Sequence, residues 1–231
     1  MIQPHDSQIE GLELHYLLTG DTISRYAVQR LADRFYTVWH GVIGDPNNKY
    51  MENRIQARVL DAYVTAHRIG VRNRDFATAS RQALTKILGT QRSDGSYRFV
   101  RLCNHELNYM AGLLNDVFIK YHDHFERDTR IAPAIKRSID FMWSTQWLPG
   151  SGAFKYVSGS CSGVGGTTAA PDLNLLIANG FGWYAKRTGA SSYRTKGDAI
   201  FNEGVKRAWI TGEKQYNENY RASFRYLFYR R

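Results

Sequence analysis

The sequence predicts an all-α protein of about four antiparallel helix pairs. Three observations carry that prediction. Apolar residues recur at helical spacing along the chain, Gly and Asp mark short turns inside each pair, and longer loops separate one pair from the next. Strand signals are weak throughout. Short and long connections that alternate in this way fit stacked hairpins, in a solenoid or in a closed toroid. In a toroid the short turns share one face, and the long loops share the other and build the site.

Each element follows from its residues. A first helix over about 7–19 carries Ile9, Leu12, Tyr16 and Leu17. Thr19-Gly20-Asp21 then supplies a glycine for the helix end and an aspartate for the next N-cap. The second helix spans about 22–39, with Ile23, Tyr26, Leu31 and Phe35. Gly41, Gly44, Asp45 and Pro46 make a loop, and a third helix over about 51–69 carries Ile55, Val59, Leu60 and Val64. Gly70 ends it, and a fourth runs from about Asp75 to Leu88. Ser93-Asp94-Gly95-Ser96 is a turn, with a short extended stretch after it at 97–102.

A fifth helix over about 104–122 carries Leu107, Met110, Leu113, Leu114 and Phe118, and Asn104 is its expected N-cap. The sixth covers about 129–146. A long loop runs from Trp147 to Pro171, the seventh helix covers about 172–187, and Thr188-Gly189 repeats the first turn. The eighth helix covers about 192–210. The tail to Arg231, rich in Tyr and Arg, receives no assignment. The expected organisation is one toroid-like domain over 1–231.

Composition narrows the function. Of 231 residues 43% are apolar, enough for a sizeable core and too many for a disordered chain. The net charge of +10 favours an anionic partner. The Lys and Arg residues are spread along the chain, and no RNA-binding or zinc-finger signature accompanies them, which argues against nucleic acid. Aromatics reach 13%, and Tyr and Trp serve both cores and sugar-stacking surfaces. No apolar run reaches membrane-spanning length, so no membrane partner is expected. The start lacks a signal peptide, which reads as a cytoplasmic protein or as a secreted one without its leader. Cys103 and Cys161 match neither a metal spacing nor a disulfide framework, and their pairing stays open. No cofactor and no metal are expected.

The segments EGLELHYLLTGD, YMAGLLNDVFIKYHDHFERDTRIAPAIKRSIDFMW and PDLNLLIANGFGWYAKRTG resemble α/α-toroid polysaccharide lyases of the alginate and heparinase type, and related glycoside hydrolases. The likeness lies in the hairpin rhythm, the small-apolar MAGLL inner helix and the TG(D) turns. It implies an α/α toroid acting on a polysaccharide. Full toroids of this kind use about six helix pairs, so about four imply an incomplete toroid, a piece of a longer protein, or a protomer completed by association as a homo-oligomer.

Four groups carry the candidate chemistry. Asn104, His105, Asn108 and Tyr109 cluster at the expected start of the fifth helix. A lyase acting on a uronic acid must neutralise the carboxylate, remove the C5 proton and protonate the leaving oxygen, and Asn, His, Tyr and Arg side chains suit those tasks. The long loop FKYVSGSCSGVGGTTAAPDLN adds Tyr156 as a proton donor, with Asp172 and Asn174 at the following helix start. Asp172 also reads as a plain N-cap. Arg54 and Arg58 share a helix face and suit a carboxylate or sulfate, or else a salt-bridged surface. Glu10, paired with Asp172, would suit a two-acid hydrolase. His122 and His124 read as solvated surface.

The expectation is thus a protein that binds an acidic polysaccharide or oligosaccharide and cleaves it by β-elimination. His105 or Tyr109 would be the base, Tyr156 the acid, and Asn104 and Arg58 the carboxylate clamp. The alternatives are a glycoside hydrolase on the same fold and a non-catalytic helical-repeat binding module.

Overall fold

A computed structural model describes residues 4–45, 47–48, 50–163, 166–208 and 214–231; for residue 6 and residues 214–218 it describes the backbone alone. The described residues hold nine α-helices: α1 (Glu10–Thr19), α2 (Thr22–Trp39), α3 (Asn53–Arg68), α4 (Phe76–Leu88), α5 (Asn108–His124), α6 (Ile131–Phe141), α7 (Leu175–Thr188), α8 (Ser191–Arg207) and α9 (Lys214–Tyr229). They form four hairpins and a closing helix, and the chain is an all-α, α/α-toroid protein.

Turn chemistry sets the hairpins. Gly20 sits at φ 73° and donates its N–H to the Tyr16 carbonyl, which ends α1. The Asp21 carboxylate then accepts from the Ser24 N–H at 2.7 Å and caps α2. Gly189, at φ 74°, ends α7 in the same way. Asp75 caps α4 through the Thr78 N–H at 2.9 Å.

Burial sorts the helices into two layers. All but three of the sixteen residues of α3 are buried, and all but three of the seventeen of α5. Helix α8, by contrast, buries only Gly197, Ile200 and Gly204. A helix apolar or buried all round belongs inside; one with a single buried stripe belongs outside. Helix α3 packs on α5, α5 on α7 and α7 on α9, with α2, α4, α6 and α8 behind them. One continuous core runs from Ile9 to Tyr226.

Two close approaches fix the layers. A Cβ at Gly112 of α5 would collide with the Leu176 backbone of α7. Since backbone cannot swing aside, Gly112→Ala is expected to destabilise by about 2 kcal/mol through overpacking. A urea melt checks this. The Tyr226 ring of α9, fully buried, fills the notch left by Gly182 and Gly197.

Besides α9, which forms in the unassigned tail, the structure departs from the sequence reading in three places. Helix α5 starts at Asn108, because Cys103 and Asn104 take left-handed φ values of 54° and 60° and His105 pairs with Phe99 in an antiparallel bridge. Asn104 is therefore a turn residue and caps nothing. The expected sixth helix closes at Phe141 and widens into a π-turn over Met142–Gln146. The loop after it holds a short antiparallel pair, β1 (Trp147–Leu148) with β2 (Ala153–Phe154), Trp147 opposite Phe154.

Candidate functional site at the loop face

The long connections meet one another at the N-terminal ends of the inner helices. Asn53 donates its side-chain N–H to the Tyr97 carbonyl at 2.8 Å, and Asn108 donates to the Lys155 carbonyl at 2.6 Å. Leu107 pairs with Val157 in an antiparallel bridge. Cys103 and Cys161 are joined by a disulfide with Cα atoms 5.6 Å apart, which settles the pairing the sequence left open. Their separation of 58 positions hid this, since the pairing of 106–108 with 155–158 brings the two loops together.

A compact set of side chains sits on this rim. The Tyr109 and Tyr156 rings stack with centroids 5.8 Å apart, near-parallel at 25°. Burial holds the Tyr109 phenol above its ordinary pKa, against the pull of the nearby Arg54 guanidinium. Tyr109 therefore keeps its proton at neutral pH and suits donation better than abstraction. Arg54 donates through Nε to Glu52 at 3.0 Å, and the same carboxylate oxygen lies 2.5 Å from His5 Nε2. The chain His5–Glu52–Arg54 thus flanks the tyrosine stack. In sequence Glu52 has no assigned role, and His5 stands in the N-terminal group with Glu10. The available signal was the polar run before α3, read through the hairpin geometry.

The other candidates lie elsewhere. His105 rests its ring over Gly159, and among the described residues no hydrogen bond or ring contact joins it to the tyrosines. Asn108 is buried and spent on Lys155. Asn174 is fully buried, donating to the Gly152 carbonyl at 2.8 Å and to the Ile200 carbonyl of α8 at 3.4 Å, so it braces the loop to α8. Asp172 is half-buried, and its carbonyl accepts from Asn219 at 2.7 Å. Glu10 faces Arg221 and Arg225, not Asp172. His122 is buried with its ring edge-on to Trp183, a correction to its reading as solvated surface.

Glu106, next to His105, is almost fully buried. Its carboxylate accepts the Tyr97 N–H at 2.5 Å, and burial pushes its pKa from 4.5 up to about 7. The folded protein therefore keeps a proton that the unfolded chain loses from about pH 4.5 upward. Stability should fall as pH rises from there to about 7, then level. Glu106→Gln is expected to flatten that slope, seen in urea midpoints across the same range.

A second polar cluster fills the centre of the ring. Lys120 of α5 donates to Glu13 at 2.7 Å, Asp61 at 2.6 Å and Thr65 at 2.7 Å. Asp116 accepts from Arg225 at 2.7 Å, Arg221 at 3.1 Å and Asn179 at 3.0 Å. Arg221 also reaches Glu10 at 2.7 Å and so ties α9 to α1. Arg58 lines this centre and not the rim. Beside it a cleft of about 210 Å³, lined by Glu13, Arg68, Lys120 and Arg225, opens among α1, α3, α5 and α9. Burial would raise the Asp61 and Asp116 carboxyls. Lys120 beside Asp61, and Arg225 and Arg221 beside Asp116, more than offset this and hold both below the ordinary range. Lys120, Arg221 and Arg225 are each paired with carboxylates, so these contacts read as structure.

Among the described residues no group of three or more His, Cys, Asp or Glu side chains is placed to hold a metal ion. Among them no helix is long and apolar enough to cross a membrane.

No protein-family model matches the chain, and no curated protein matches it in sequence. Among solved structures, cellobiose 2-epimerase from Bacillus thermoamylovorans B4167 superposes with a TM-score of 0.61 over 90% of this chain, at 11% identity. The chain spans 60% of the length of that protein. Identity this low establishes the shared α/α-toroid fold and leaves function to the site.

Proposed function

We propose that the chain is a carbohydrate-active protein whose loop-face rim takes an acidic glycan and cleaves it by β-elimination. The observation that carries this reading is the stacked pair Tyr109–Tyr156 beside the linked His5, Glu52 and Arg54. Arg54 holds the uronate carboxylate, as a planar guanidinium does well. His5, oriented by Glu52, removes the C5 proton through its other ring nitrogen. The electron pair left behind forms the C4–C5 double bond as the C4–O bond breaks. Tyr109, kept protonated by burial, supplies the proton to the leaving oxygen. Tyr156 gives the sugar an aromatic face beside it.

This assignment moves the base from His105 or Tyr109 to His5 and the carboxylate clamp from Arg58 and Asn104 to Arg54. It makes Tyr109, rather than Tyr156, the donor. The basic net charge suits an anionic substrate. The disulfide at the rim suits a protein that works in an oxidising compartment. The two-acid hydrolase loses support, because Glu10 is held by two arginines.

Incubation with a panel of uronate polymers tests the reading. The expected result is far-ultraviolet absorbance from an unsaturated product. Reducing ends without that absorbance would favour hydrolysis, and no change on any polymer would sink the lyase reading. A second reading, epimerisation, draws on the fold shared with the epimerase. It predicts exchange of a sugar C–H with solvent deuterium and no chain cleavage.

A further inference from the structure

The described tryptophans fall into two sets. Trp39 and Trp183 are buried, whereas Trp143 and Trp147 are each half-buried and stack on one another, centroids 4.9 Å apart and 16° from parallel. The π-turn Met142–Gln146 sets this pair at the surface and leaves Ser144 and Thr145 exposed beside it. Turns of that kind often mark functional places in helices.

Cations surround the aromatics. Lys196 Nζ of α8 lies 5.3 Å from the Trp143 ring and 5.1 Å from the Tyr193 ring. Lys136 Nζ lies 5.9 Å from Tyr193 and is paired with Asp140 at 2.6 Å. The Tyr193 hydroxyl also donates to Asp140, at 2.7 Å. Lys155 Nζ donates to the Thr145 carbonyl at 3.4 Å. Among the described residues neither Lys155 nor Lys196 has a carboxylate partner. The patch therefore holds three ammonium groups and one carboxylate around an aromatic platform.

We infer that this patch, Trp143, Trp147, Tyr193, Lys155 and Lys196, is a binding subsite for an anionic glycan. The apolar C–H face of a sugar ring stacks on the indoles, and its carboxylate or sulfate meets Lys196 and Lys155. The patch adjoins the rim, because Lys155 and Tyr156 are consecutive: the first turns to Thr145 and the second to Tyr109. One polymer can thus lie across both. That polymeric character rests on the proposed function, while the charge and stacking do not.

The experiment is tryptophan fluorescence titration with sodium polygalacturonate and with alginate, for the full chain and for Lys196→Glu, Trp143→Phe and Tyr109→Phe. Lys196 is on an outer helix, so its reversal leaves the core intact; a thermal melt confirms that. Lys196→Glu is expected to weaken binding about tenfold and Trp143→Phe about threefold, the scale of a screened charge contact and of a reduced stacking area. Tyr109→Phe is expected to bind as the parent does, since its hydroxyl lies outside the patch. Dextran, which is uncharged, should bind at least about tenfold more weakly than the uronates. Unchanged uronate affinity in a folded Lys196→Glu overturns the inference, as does equal or tighter binding of single-stranded polydeoxythymidylate, which would mark a nucleic-acid surface. Loss of binding in Lys196→Glu with no turnover of any uronate by the parent upholds the subsite and removes the lyase reading. Turnover with Lys196→Glu binding unchanged does the reverse.

Discussion

Lys120→Met is expected to lose about 3–5 kcal/mol of stability, the largest effect of any single change in the core. Lys120 is 7% exposed and serves Glu13 and Asp61 together. Without its ammonium two carboxylates face each other in the interior with little water to screen them. Arg68 remains on Glu13 at 2.8 Å, but nothing of equal reach replaces Lys120 at Asp61. Methionine keeps the length of the side chain, so the loss reads charge and not volume. Urea unfolding measures it. The triple change Lys120→Met, Asp61→Asn and Glu13→Gln is expected to recover part of the loss, because no uncompensated charge stays buried. The same network gives an acid limb. Asp61 and Asp116 have folded pKa values below the ordinary range. Their contribution is present above the unfolded carboxylate pKa and is lost as pH falls through the folded values. This limb opposes the slope from Glu106, so stability should peak in mildly acidic solution.

Tyr109→Phe is expected to lower kcat on a uronate polymer by about 10²–10³-fold with KM nearly unchanged, the range for loss of a general acid. The ring of Phe keeps the stack on Tyr156, so binding survives while the proton to the leaving oxygen is missing. A substrate carrying a better leaving group should regain most of the rate. Tyr156→Phe, in contrast, should move KM more than kcat. If Tyr156→Phe costs the larger share of kcat, the two roles are exchanged.

Helix existence was legible in the sequence because it depends on local pattern. The bounds of α2 and the caps at Gly20, Asp21 and Gly189 follow from residues a few positions apart. Helix α9 escaped because its inward stripe carries Arg221 and Arg225 beside Ala222 and Tyr226. The charges broke the apolar period that would have announced it. The disulfide and the start of α5 escaped for a related reason. Both depend on the pairing of 99 with 105 and of 107 with 157, and no local propensity encodes that. The Tyr109–Tyr156 pair was within reach, since a helix start and a long loop were both assigned to one face. Glu52 and His5 were not, because their meeting depends on where the segment before α1 crosses the start of α3. Polar residues inside apolar helices were the unread signal for the centre. Asp116 and Lys120 stand among the apolar residues of a helix buried nearly all round, and a buried charge needs a partner.

A crystal structure of the Tyr109→Phe variant soaked with a uronate oligomer decides whether the rim is the glycan site. Density is expected across the rim, with one carboxylate on Arg54, a sugar ring over Tyr156, and His5 on the C5 side of the same residue. Density confined to the charged centre around Asp61, Asp116 and Lys120, with the rim empty at saturating oligomer, would contradict that assignment.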